Sequence, residues 1–237
     1  MKRFAFLGTS GSLVASGITA VQAQSPLVPG GTHFVEAKAD FDEMLFEQTI
    51  GRPAEIRQLF EAVSFHPQMF GNVRNTLNGL VFGFGYASER VAVAICPHGQ
   101  SSSYCFSDYV WQKYEIGEAF NLKDAKESLV TSNIYMKPDH VLSNSGDPSD
   151  EQGFFQDTSI ETLQKRGVVF TTCHTAVEEQ ARNLVKGGFA PARMTARDVA
   201  NDILTHLFPG SVVVPSMVGA IAVMQARYKY TYVTLTY

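Results

Sequence analysis

Gly167-Val168-Val169-Phe170-Thr171-Thr172-Cys173-His174-Thr175 decides the reading of this chain. A short β-branched run ends on a cysteine and passes at once into a helix start. Thr175 is a good N-cap residue, and Glu178 three positions later completes a Ser/Thr-x-x-Glu capping box. Cys173 is therefore expected just ahead of a helix N-terminus, where unpaired N–H groups and the helix dipole favour a thiolate. A second reading is a small, buried cysteine that merely closes a strand, since free cysteine is among the most buried residue types.

Working outward, the pattern alternates. A helix over 159–166 leads into the strand 168–173. A helix over 176–186 follows, stopped by Gly187-Gly188. A second capped helix runs from Thr195, with Asp198 at the box position, to Phe208. Then come a strand over 211–214, a helix near 218–226 and a last strand over 228–237, rich in Tyr and Thr. Tyr228, Tyr230 and Tyr232 alternate along it and would suit a subunit interface.

Upstream, residues 90–95 form a nearly continuous apolar run of the kind buried in parallel sheets, ending in the turn Cys96-Pro97-His98-Gly99. Val73, Leu77, Leu80 and Val81 recur at helical spacing within 67–84, with Asn72, Asn75 and Asn78 on the other face. Met44-Leu45-Phe46 reads as the first strand. Residues 107–114 read as a helix carrying the only tryptophan, Trp111, which with Tyr114 suits core or interface. Residues 121–157 form a long polar excursion around SNSGDPSDEQG, a surface loop, a lid or a partly disordered segment. Helices and strands alternating at these lengths predict an α/β fold, a three-layer α/β/α arrangement around a mainly parallel sheet.

The N-terminus, MKRFAFLGTSGSLVASGITAVQAQ, reads as an export signal over residues 1–23. It has a positive start at Lys2 and Arg3, an apolar-to-small middle and a Val21-Gln22-Ala23 cleavage site. Its Arg3–Gly11 run resembles a twin-arginine signal with Phe4 where the second arginine belongs, and a Sec route fits as well. The expected location is periplasmic or secreted. Residues 24–40 read as a linker or arm, and 41–237 as one α/β domain. The net charge of −4 and the absence of a basic run argue against a nucleic-acid partner. No stretch beyond the signal is apolar enough for a membrane span.

In parallel sheets ligands bind beyond the carboxyl ends of the strands. Cys96-Pro97-His98-Gly99, Cys173-His174 and Pro215-Ser216 all follow strands on that one edge. Cys173 is the candidate nucleophile, with His174 as a proton acceptor and His98 as a general base or ligand-binding group. Cys96 and Ser216 are candidate ligand contacts, and Asn72 and Asn75 are placed with them or on a plain solvated helix face. Three cysteines allow one disulfide plus a free thiol, Cys96–Cys105 among the choices, or three free thiols. No C-x-x-C pair or H-x₃-H spacing supports a metal, and no cofactor is predicted. Serine-hydrolase, Walker, dinucleotide and HExxH motifs are absent.

The chain resembles the DsrE/DsrF-like family in three C-terminal stretches: Leu163-Gln164-x-Arg166-Gly167-Val168-x-Phe170-x-x-Cys173, Val212-Val213-Val214-Pro215-Ser216 and Gln225-Ala226-Arg227-Tyr228-x-Tyr230. In the last, Arg227 stands where the family has glycine. The helix bearing Asn72 and Asn75 and the Val91–Gly99 stretch are similar to the family's first helix and second strand. Asp108–Ala119 resembles an exported subgroup of it. The resemblance implies a five-stranded α/β/α domain, assembly into trimers or hexamers, and a Cys173 that carries a persulfide as in the sulfur-relay members. A noncatalytic oligomeric module that binds a small ligand or a partner is the alternative reading.

Overall fold

The structure of the protein is a computed structural model that describes residues 41–66, 68–124 and 126–234. The expected signal over 1–23 and linker over 24–40 lie outside the described residues.

The chain builds α1 (Glu43–Ile50), β1 (Ile56–Ala62), α2 (Gln68–Asn78), β2 (Val91–Pro97), α3 (Asp108–Lys113), α4 (Ile116–Ala119) and α5 (Ile160–Lys165). It continues with β3 (Val168–Cys173), α6 (His174–Gly187), α7 (Ala196–Thr205), β4 (Ser211–Val214), α8 (Met217–Tyr228) and β5 (Thr231–Thr234). A π-helical turn, Gly79–Gly83, extends α2, and a 3₁₀ segment, Gly99–Cys105, follows β2. The strands form one five-stranded sheet in the order β4-β3-β2-β1-β5, parallel at every pairing. This is the three-layer α/β/α fold that the alternation predicted.

Topology distributes the layers. Strands β1 to β4 step one way across the sheet, so right-handed crossovers put their connecting helices on one face. The β4–β5 connection runs backward, and α8 must cross the opposite face diagonally to reach the far edge. Strand β2, buried along its whole length, shows both sides of the arrangement. Val91, Val93 and Ile95 join Phe60, Phe70, Leu163 and Phe170 in the core beneath α2 and α5. Ala92, Ala94 and Cys96 face the other way, toward Met217, Ile221 and Met224 of α8. Those small side chains let the helix backbone come close to the sheet. A third cluster gathers α3, α6 and α7 around Trp111, which is fully buried and donates its indole N–H to the Ser103 carbonyl (3.1 Å).

Met44–Phe46 belongs to a helix, not to the first strand. Asp42 caps it by accepting from the Leu45 N–H (2.9 Å), and Phe46 and Ile50, four residues apart, are its buried face. The intervening Glu47 and Gln48 fit that spacing and not a strand's alternation. The first strand is Ile56–Ala62. The last strand is shorter than read from the sequence: Tyr228 ends α8, Tyr230 is buried with its hydroxyl on the Ile50 carbonyl (3.0 Å), and Tyr232 lies on β5. The three tyrosines thus do not share one strand face.

Among its described residues the excursion over 121–157 holds no helix or strand of the sheet, yet it is anchored to the domain. Asn133 donates to the carbonyls of Tyr104 (2.8 Å) and Phe106 (3.1 Å), and Tyr135 packs on Phe65, Phe70 and Tyr104. Among the described residues no helix is long and apolar enough to cross a membrane.

Candidate functional site

Cys173 is the last residue of β3 and the N-cap of α6. The capping box read at Thr175 and Glu178 therefore does not form. The chain turns into the helix two residues earlier, and the cysteine sulfur does the capping, accepting the Ala176 N–H at 3.4 Å. Thr175, already inside the helix, turns its hydroxyl to the Pro215 carbonyl (3.0 Å), which ties the start of α6 to the end of β4. That tie brings the neighbouring helix start against the same sulfur: the Met217 N–H, first in α8, reaches Cys173 Sγ at 3.3 Å. Two helix N-termini from two different crossovers thus converge on one side chain.

The electrostatics of this sulfur is a contest. Burial pushes its pKa up, while the N–H groups of Ala176, Met217 and Thr175 pull it down and the Glu179 charge pushes it up again. Burial prevails, and the net shift is upward. Cys173 is 5% exposed and rests as a thiol near neutral pH. The donors surround a place where negative charge can be accommodated once it forms.

His174, the next residue, is 8% exposed, with Nε2 3.8 Å from Glu178 Oε1 one turn along α6. Ser216, the N-cap of α8, precedes Met217 and stands over that helix's first turn. His98, just past β2, lies on the same edge, but its ring is engaged with β1: Nε2 is 2.8 Å from Glu61 Oε1. Glu61 also accepts hydroxyls from Tyr232 and from Thr234 (2.9 Å) of β5. Burial tends to raise the Glu61 pKa, but the hydrogen bonds from Tyr232, His98 and Thr234 outweigh it and hold the carboxyl below its ordinary range.

Of the remaining candidates, Cys96 stands level with Glu61 on this edge but is closed off by α8, and the two asparagines lie on the other face of the sheet. Cys96 is fully buried under α8, its thiol 3.9 Å from Met224 Sδ. Burial pushes its pKa up to about 12, and that of Cys105 up to about 11. All three cysteines are free thiols, so no Cys96–Cys105 disulfide is formed; the two side chains belong to opposite faces of the sheet. Asn72 and Asn75 line a groove of about 480 Å³ on the α2 face, with Gln58, Phe60 and Val233, across the sheet from the Cys173 sulfur. Among the described residues, no three of His, Cys, Asp and Glu gather closely enough to hold a metal ion.

Glu61 is an acidic residue of this edge that no sequence motif marks. The signal available was one of position: in Leu59-Phe60-Glu61-Ala62 a carboxylate occupies the same side of the strand as the buried Leu59, a position that demands partners.

Comparison of the chain with family models, curated proteins and solved structures finds no match.

Proposed function

We propose that the chain is an exported, DsrE-like sulfur carrier in which Cys173 holds sulfur as a persulfide. The observation that carries this reading is the pair of main-chain N–H groups, from α6 and α8, directed at a strand-end sulfur. Two such donors stabilise negative charge on sulfur without any cation. The exchange is balanced without an external oxidant. The Cys173 thiolate attacks the outer sulfur of a donor R–S–SH, a Cys–S–SH bond forms, and R–S⁻ leaves with the electron pair of the broken S–S bond. An acceptor thiolate then takes the outer sulfur by the same step and returns Cys173 to its thiolate. The proton lost by the resting thiol ends on the departing thiolate, with His174, next in the chain, and the Glu61-bound His98 on the same edge as candidate carriers.

Intact-mass spectrometry after brief polysulfide treatment tests this. The expected result is a gain of about 32 Da per added sulfur in the native protein and in Cys96→Ser, lost in Cys173→Ser. An adduct that persists in Cys173→Ser, or none in the native protein, overturns the carrier reading.

A second reading, a noncatalytic ligand-binding module of the same fold, is favoured by the low exposure and raised pKa of Cys173. It predicts no adduct, together with small-molecule binding that leaves the thiol unmodified.

A further inference from the structure

At the opposite end of the sheet, beyond the amino ends of β1, β2 and β3, lies a cavity of about 320 Å³. That is at the lower end of the range of small-ligand sites, roughly 300 to 1,000 Å³. One wall is apolar: Leu77 and Val81 from α2 and its π-helical turn, Phe82 from the same turn, and Phe154 and Phe155 from the end of the long excursion. π-helical turns inside α-helices are rare and concentrate at functional sites.

The other wall is cationic, with Arg52, Lys165 and Arg166 against a single exposed acid, Glu89. Among the described residues none of the three cations forms an ion pair. Arg166 donates to two neutral acceptors, the Phe155 carbonyl (3.2 Å) and Asn78 Oδ1 (2.6 Å), and its guanidinium lies 5.5 Å from the Phe155 ring centre. Arg52 donates to the carbonyls of Glu89 (2.9 Å) and Val91. It passes close to Gly167, where a Cβ would stand 3.6 Å from its Nη2. Each guanidinium has five N–H donors, so several remain unused. Burial and the nearby Arg74 charge push the Arg166 pKa down to about 10, the mark of a cation short of negative charge.

We propose that this cavity binds a small organic monoanion with an apolar body, a carboxylate whose head meets Arg166 and Arg52 and whose tail lies among Phe82, Phe154 and Phe155. A planar carboxylate matches a guanidinium fork. A phosphate dianion is disfavoured, because the site lies at the carbonyl end of α5, where the helix presents partial negative charge, and Glu89 adds more. The site is independent of Cys173, which lies at the other edge of the sheet.

Isothermal titration of the full chain with decanoate, decanol and inorganic phosphate tests the proposal. Decanoate should bind saturably, about tenfold or more tighter than decanol, and phosphate should not compete with it. Arg166→Met should weaken decanoate by about tenfold or more and leave decanol unaffected. Lys165→Ala, at an exposed position that folding tolerates, should weaken decanoate by a smaller factor, and Cys173→Ser should change nothing. No saturable decanoate binding, decanol binding as tightly as decanoate, or phosphate displacing it would each overturn the proposal. So would decanoate affinity unchanged in both Arg166→Met and Lys165→Ala.

Discussion

Raising the pH from 9 to 11 should sharply destabilise this protein by way of its hidden thiols. Cys96 and Cys105 are sealed on opposite faces of the sheet as neutral groups, with burial the main cause of pKa values of about 12 and about 11. An unfolded cysteine ionises near 8.5. Above that pH the unfolded chain has released protons that the folded chain still holds, so stability falls as pH rises. The contribution is intact below about pH 8.5 and is lost progressively toward the folded pKa values. Each thiol costs about 1.4 kcal/mol per pH unit in that window, so two thiols over two units remove about 5 kcal/mol. That is a large part of the 5–15 kcal/mol by which domains are ordinarily stable. Cys173, also raised, acts in the same direction. The buried Tyr104 and Tyr114, both pushed upward by burial first, add to the loss only once unfolded tyrosine ionises, near pH 10. Urea unfolding at fixed ionic strength, stepped from pH 7.5 to 10, therefore isolates the thiols. The double variant Cys96→Ala/Cys105→Ala should start less stable, from lost packing, but decline with a visibly shallower slope above pH 8.5. Equal slopes in the two proteins, or a flat native profile, would refute the reasoning. The same shifts bear on the proposed function: near neutral pH Cys96 and Cys105 stay protonated, so a sulfur exchange of the kind proposed would fall to Cys173.

At the acid end the sign reverses. The Glu61 carboxyl, held low by Tyr232, His98 and Thr234, contributes stability that is present above about pH 4.5 and lost as pH falls through its folded pKa. Glu61→Gln should cost about 2 kcal/mol at pH 7 and flatten the acid limb of the stability profile measured by urea unfolding from pH 7 to 3. An acid limb identical to the native one would count against that role. Gly117→Ala should be severely destabilising, by about 3 kcal/mol or more, because a Cβ there would stand 1.5 Å from the Val130 carbonyl oxygen. Thermal unfolding reads it, and a variant within a degree or two of the native midpoint would show that Val130 does not sit against Gly117 of α4.

What could be read from the sequence follows from how each strand is solvated. Strands β2, β3 and β4 are buried on both faces or nearly so, and their continuous apolar runs mark them without help from tertiary contacts. Strand β1 carries Arg57 and Glu61, and two charges in seven residues hide it. The fold accepts them because Arg57 is tied to the carbonyls of Ala54 (2.8 Å) and Arg52 (2.7 Å) and Glu61 to three donors. The Arg57 partners are main-chain carbonyls of the preceding turn, and the Glu61 partners lie on β5 and beyond β2, so no side-chain pattern announces either. The capping box at Thr175 failed for a related reason. Spacing alone allows Thr175 to cap, but β3 extends to Cys173 in register with Val214, and the turn into α6 falls there.

The site divides along the same line. That Cys173, His98 and Ser216 share an edge follows from strand direction, which the βαβ alternation fixes. Which of them share a face depends on strand parity and on where α8 crosses, and neither is written in a motif. Parity puts Leu59 and Glu61 on the α8 side with Cys96 and Cys173, while Phe60 and the α2 groove with Asn72 fall on the other. The second donor to the sulfur is the least visible feature of all. It is the main-chain N–H of Met217, carried to Cys173 by a helix that begins more than forty residues later. A main-chain donor leaves no trace in side-chain identity, so any activity built on this sulfur rests on the one component that only the folded chain supplies.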